Sequence, residues 1–341
     1  METIQRFSLA HIWNDSLITE DRPQTSRDYL WASGLFRPPV DLWLELRGVP
    51  FTNKPNSRAR RKFFAGNLTE NFVQTVMMLA GVITEQQEEI WTRFDIHVKG
   101  KGDFILAGKF NFEGIEEKIK HLSMPQAMEQ VCLNIATRMK TIYGGVEFEP
   151  CVLEIKSVAE RTMTKIEKNE RPIDSHIYQT AHYKIGRNLN DALVVVICRD
   201  DLRMFEYHIT DRDEANYINH INRLAVLVKS DQQPEVEKEI IFDESLGKFS
   251  KNLQIEYSNY LTLLYPQYDR PDQYSDSVKP KVARWNRLLA RLKTIEKKEP
   301  FKTGKEIKLT PKNIDVILEM KRENFDAYSL AKVAEVVEDE E

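Results

Sequence analysis

Two carboxylates and one lysine stand in this chain where a divalent cation and a water could be held together. Asp103 closes Gly100-Lys101-Gly102-Asp103 and opens the apolar run Phe104-Ile105-Leu106-Ala107, while Glu154 and Lys156 lie in Cys151-Val152-Leu153-Glu154-Ile155-Lys156-Ser157. Charges beside apolar runs point to strand ends bordering a partly enclosed site. Burying them is costly unless they are paired or bind metal. Residues two apart on a strand share a face, so Glu154 and Lys156 put an oxygen ligand for a hard cation next to an ammonium. Asp103 and Glu154 could hold the metal, the backbone carbonyl of Ile155 could add a third oxygen, and Lys156 could orient or deprotonate a water. That combination suits phosphodiester hydrolysis. A Glu-x-Lys on a strand is by itself ordinarily a solvated face. This one is lifted above that by Asp103 on a second strand and Glu70 on the preceding helix. Gln179 and Tyr183, four apart on the following helix, share one face.

Elements must position these groups. An N-terminal segment, 1–56, carries Trp13, Trp31 and Trp43 in two helical patterns broken at Arg37-Pro38-Pro39 and Gly48-Val49-Pro50. Its aromatics read as packing residues rather than as a stacking platform. Ser57 opens a long helix through Met78, crowded early by Arg58, Arg60, Arg61 and Lys62 and ended by Gly81. Residues 90–110 predict an antiparallel hairpin turning at Lys99-Gly100-Lys101-Gly102. A helix over 124–143, stopped by Gly144-Gly145, leads to a strand at 150–157. Helices at 159–168 and 174–188 follow, then a buried strand at 191–198 and another at 204–209. The sum is an α/β chain with a central mixed sheet flanked by helices. From Asp211 the pattern is mostly helical, near 211–229, 254–264, 279–297 and 311–321, before the acidic tail 331–341, which ends in Glu338-Asp339-Glu340-Glu341.

Composition sets the outer bounds. With 341 residues, 41% hydrophobic and 30% charged, the chain can bury a substantial core as one large domain or two ordinary ones. A net charge of -4 argues against a wholly basic nucleic-acid coat, so local basic stretches carry any backbone contact. One such stretch, between Lys279 and Lys305, includes Arg284, Arg287 and Arg291, interleaved with Trp285, Leu288, Leu289 and Leu292, which read as a packing face. Cys132, Cys151 and Cys198 stand far apart without a CxxC pair, as expected of reduced thiols in a cytoplasmic protein. The first residues lack the apolar core of a signal peptide, and no run approaches the ~18 apolar residues of a membrane span.

Taken in order, Glu70, Gly100-x-x-Asp103, Glu154-x-Lys156 and Gln179-x-x-x-Tyr183 resemble the PD-(D/E)XK nuclease superfamily, in its RecB-like branch. The likeness covers about residues 57–210. It implies a restriction-endonuclease-like core at 57–230, with helical N- and C-terminal extensions, the latter at 231–330. It further implies that Asp103, Glu154 and Glu70 bind metal, that Lys156 is the catalytic lysine, and that Gln179 and Tyr183 form the helix motif beside the active site. Magnesium or manganese would be the cofactor and DNA the substrate, gripped by Arg58, Arg61, Lys62, Arg284, Arg287 and Arg291. The segment Arg61 to Glu70 is similar to the branch's first motif, although many members carry histidine where this chain has Glu70, which leaves one metal or two open. Members with an iron–sulfur cluster use four cysteines around the core, a set that three cysteines cannot supply, so no iron–sulfur cluster is expected. The helical insert at 112–149 is longer than the core requires.

Other chemistries fit less well. There is no HExxH for zinc, and Gly304-Lys305-Glu306 lacks the lead-in of a phosphate-binding loop. The expected activity is therefore a metal-dependent deoxyribonuclease, acting as an exonuclease on DNA ends in recombination, repair or phage replication, with a recombinase or single-strand-binding protein as a possible partner. Its alternatives are a structure-selective endonuclease and a DNA-binding subunit with weak or no cleavage.

Overall fold

The computed structural model describes residues 27–53, 57–79, 83–86, 89–243 and 247–298. The chain divides into two units, one comprising residues 1–50 and 54–234 and the other residues 51–53 and 235–341. Both are mixtures of helix and strand, and among the described residues no helix is long and apolar enough to cross a membrane.

The first unit begins with strand β1 (Tyr29–Trp31), a single 3-10 turn at Ala32–Gly34 and helix α1 (Pro39–Leu46). In place of the helical pattern expected before Arg37, the described part holds the short strand β1 and that single 3-10 turn. Pro39 at the first helical position suits α1, since its missing N–H would have had no partner there. Trp43 of α1 is a packing residue as expected: its indole donates to the Ser230 carbonyl at 2.8 Å, and the Arg47 guanidinium lies 3.8 Å from the ring centre. Helix α2 (Ser57–Leu79) carries Glu70.

Five strands build the central sheet, in the order β2 (Ile83–Gln86), β5 (Phe104–Lys109), β6 (Glu147–Val158), β7 (Asp191–Cys198) and β8 (Met204–His208). Only β6 and β7 run parallel; the other neighbours are antiparallel. A three-stranded sheet sets β3 (Glu89–Arg93) and β1 on either side of β4 (His97–Lys101). The hairpin predicted to turn at residues 99–102 turns instead at Phe94–Ile96, between β3 and β4, and Gly102 carries the chain from one sheet into the other.

Helices α3 (Ile115–His121) and α4 (Gln126–Tyr143) form the insert between β5 and β6, packed on each other through Ile115, Ile119, Cys132 and Ala136. Helices α5 (Glu160–Asn169), α6 (Asp174–Arg187) and α7 (Asp211–Lys229) follow. A full capping box at Thr210 and Asp213 starts α7. The sheet is buried on both faces. Val152, Val194 and Val196 lie in a cluster with Ile177, Ala181 and Tyr183 of α6, while Leu153, Ile155 and Val195 meet Val73 and Met77 of α2. Such a doubly covered strand reads as the continuous apolar run seen at 191–198.

The second unit holds the hairpin β9 (Ile240–Asp243) and β10 (Lys248–Lys251), short helices α8 (Leu253–Glu256) and α9 (Leu261–Leu264), and the long helix α10 (Pro271–Lys298). The hairpin falls in a stretch expected to be helical, and the helix expected near 254–264 is two short ones. Trp285 is buried, edge-on to Phe249 with ring centres 5.2 Å apart, so the apolar side of α10 packs as expected. The helix expected at 311–321 and the acidic tail lie outside the described residues.

Candidate active site

Strand pairing brings Asp103 and Glu154 together. Phe104 pairs with Leu153 and Ile105 with Val152, so the same antiparallel register sets Asp103 opposite Glu154. The Asp103 N–H donates to Glu154 Oε2 at 3.4 Å, and the Ile155 N–H donates to Asp103 Oδ2 at 2.8 Å. At Asp103 the backbone group of Ile155 that makes contact is therefore its amide, and its side chain joins the core. Lys156, on the same face as Glu154, donates to Glu154 Oε1. Glu70 reaches this group from α2: its carboxyl is within hydrogen-bonding reach of Asp103 and close enough to act on Lys156.

Helix α6 completes the constellation. The Gln179 amide donates to Glu154 Oε1 at 2.7 Å and to the Tyr183 hydroxyl at 2.8 Å, so both N–H groups of that amide are used. Tyr183 is buried, and its hydroxyl also meets the backbone of Lys101. The ring lies against two glycines: a β-carbon at Gly100 would stand 2.5 Å from Tyr183 Cε1, and one at Gly102 would stand 3.6 Å from Cγ. Gly100 is thus a close-approach glycine inside a strand rather than a turn residue.

The electrostatics are those of crowded acids. Burial, and then the charge of Asp103, raises the Glu154 carboxyl above the ordinary carboxylate range despite the contact with Lys156. Asp103 is raised as well, by burial, against the opposing pull of Lys156. Burial pulls the Lys156 ammonium down, but Glu154 and Asp103 outweigh it and hold the group above its usual value, so it is charged. Glu70, Asp103 and Glu154 bring hard oxygen donors to one place, the donor type that Mg²⁺ or Mn²⁺ takes, and are the side chains that could hold such an ion.

Sequence reasoning missed His176, one turn before Gln179 on α6. Burial and the nearby charge of Lys156 push its pKa down to about 3, so it is neutral, and its buried Nδ1 has no hydrogen-bond partner among the described residues. The three-residue step from His176 to Gln179 is the signal that could have found it. His182 is a structural histidine: its Nε2 lies 3.1 Å from the Ile90 carbonyl, which can only accept, leaving Nδ1 to accept from the Tyr217 hydroxyl at 3.0 Å.

Arg61 and Lys62 are exposed on α2, Arg284 and Arg287 are exposed on α10 of the second unit, and the side chains of Arg58 and Arg291 lie outside the description. Cys132 and Cys198 are buried free thiols, and burial and the Asp191 carboxylate push Cys151 up to about 12.

No family model matches the chain, and neither does any curated protein. Among solved structures, the crystal structure of SSO0001 aligns over 77% of this chain and 98% of its own, at 13% identity and a TM-score of 0.42. A likeness at that level assigns neither fold nor function.

Proposed function

We propose that this chain is a metal-dependent deoxyribonuclease of the PD-(D/E)XK type, with residues 57–230 as a restriction-endonuclease-like core. The observation that carries the reading is the convergence of Glu70, Asp103, Glu154, Lys156, Gln179 and Tyr183, drawn from one helix, two strands and a second helix, on a single hydrogen-bonded cluster. A buried apolar core gives no reason to gather three acids and a lysine.

Glu70, Asp103, Glu154 and the Ile155 carbonyl are the groups that would hold Mg²⁺ or Mn²⁺. Such a cation supplies Lewis-acid polarisation of the phosphate and a water of lowered pKa. The chain's own residues do the rest. Gln179 fixes the rotamer of Glu154 and is itself fixed against Tyr183. Lys156, held charged by its two carboxylates, orients the attacking water and stabilises the negative charge that grows on the phosphate oxygens. His176, kept neutral, adds no second cation to compete with the metal.

The reaction is read as exonucleolytic, with the N-terminal segment and the insert α3–α4 as the material for guiding a terminus. The test uses end-labelled linear and circular single strands with Mg²⁺ or with chelator. Metal-dependent loss of the linear strand alone supports the exonuclease. Equal loss of both strands replaces it with an endonuclease, and no loss of either rejects cleavage.

A further inference from the structure

The three-stranded sheet β3-β4-β1 has two unlike faces. Leu30, Ile90, Thr92, Val98 and Gly100 point inward and are buried, and the inner face meets α6 through Tyr183 and His182. The alternate residues point the other way. Register places Trp31, Lys99 and Trp91 in one row across the three strands, with Tyr29 in the next row. The Lys99 ammonium lies 5.3 Å from the Tyr29 ring centre, 5.6 Å from that of Trp31 and 4.9 Å from that of Trp91. Tyr29 stands edge-on to both tryptophans, at 5.7 and 5.1 Å.

Trp91 is 38% exposed, a large apolar ring left in water. Arg93 and Lys101 are exposed on the same face as Lys99, and Glu89, paired with Lys99 at 2.9 Å, is the one acid of that face among the described strand residues. An exposed ring such as Trp91 suits an unpaired base, and exposed cations such as Arg93 and Lys101 suit phosphates. A duplex hides its base faces, and an acidic peptide would use the cations but not the rings.

We propose that the outer face of β3-β4-β1 is a stacking platform for single-stranded DNA, with a base on the exposed Trp91 ring, which Lys99 and the half-buried Tyr29 and Trp31 hold in place, and phosphates on the exposed Lys101 and Arg93. The choice of DNA rests on the nuclease reading above; the choice of unpaired bases rests on the rings. From the end of β4 at Lys101 the chain passes through Gly102 to Asp103, so the platform is two residues in sequence from the candidate metal ligand.

The test measures binding of the full chain to a labelled oligothymidylate, and to a base-free deoxyribose-phosphate strand of the same length, both in chelator so that nothing is cleaved. Trp91→Ala is expected to weaken oligothymidylate binding by about tenfold. Trp91→Phe should keep most of the affinity, and the base-free strand should bind wild type and Trp91→Ala alike. In wild type alone, tryptophan emission should be quenched by oligothymidylate and not by the base-free strand. The proposal is overturned if Trp91→Ala binds oligothymidylate as wild type does, if it loses both strands equally, or if wild-type emission does not distinguish them. Cleavage of the same oligothymidylate by wild type in Mg²⁺ reports on the nuclease reading separately, so either idea can fail alone.

Discussion

Gly100 lies beneath the Tyr183 ring so closely that a β-carbon there would stand 2.5 Å from Cε1 and 3.1 Å from the hydroxyl oxygen. The backbone of the small sheet therefore sets the height of the tyrosine, and through Gln179 the orientation of Glu154. Gly100→Ala removes no polar group, yet it must push the ring away. We expect a stability loss of about 1–3 kcal/mol from overpacking and a fall in cleavage rate of at least tenfold by misplacement of Glu154. Thermal melting and turnover of the same sample check both parts; normal turnover would detach Tyr183 from the site.

Glu154→Gln should separate stability from activity. Because the folded carboxyl is raised above its ordinary value, its contribution to stability is present below the unfolded glutamate value of 4.5 and is lost as pH rises through the higher folded value. Without metal, this contribution should lower the wild-type melting temperature between pH 4.5 and about 8, and the amide variant should fall less over that range while cleaving DNA far more slowly. Calcium should raise the melting temperature of wild type and leave that of Glu154→Gln nearly unchanged. Parallel pH curves for the two proteins would contradict the crowding of acids.

Acid should act through buried histidine. The pKa of His182 is lowered to about 4 by burial, so its stabilising contribution is present above the unfolded value of 6.5 and is lost as pH falls toward 4. His176 adds a contribution of the same sign. His182→Gln should cost about 1–3 kcal/mol at pH 7 through the broken hydrogen bonds to Ile90 and Tyr217. Its melting temperature should then drop less than that of wild type between pH 7 and pH 5. An equal drop in both proteins would place the acid sensitivity elsewhere.

Helix α10 presents Arg284 and Arg287 on its exposed side while Trp285 is buried. Replacing Arg284, Arg287 and Arg291 together by glutamine should weaken single-strand binding and reduce the slope of log affinity against log salt by about 0.7 for each phosphate no longer neutralised. Filter binding across a salt series measures it. An unchanged slope returns the helix to a purely structural role.

Legibility in the sequence followed burial. The run Asp191–Cys198 reads as a strand because both of its faces are covered, and α2, α4 and α6 read as helices with bounds close to those observed. The order of the polar motifs was enough to nominate Asp103, Glu154, Lys156, Gln179 and Tyr183. What stayed hidden depends on the packing of distant segments. Gly100 resembles a turn residue until the Tyr183 ring is placed against it, and three-residue β1 is too short to show a period. The three-residue step to Gln179 points to His176, but its neutral state follows from burial and from Lys156, twenty positions earlier in sequence and close in space.

Asp103, Glu154 and Lys156 stand or fall together as a metal-dependent hydrolytic site. The decisive quantity is the single-turnover cleavage rate of an end-labelled linear DNA in Mg²⁺ by wild type, Asp103→Asn and Lys156→Ala, each verified as folded by thermal melting. We expect that wild type cleaves, that chelator stops it, and that either substitution slows it by ~10³-fold or more while DNA binding persists. Cleavage by either variant at the wild-type rate, or wild-type cleavage that persists in chelator, would contradict the assignment.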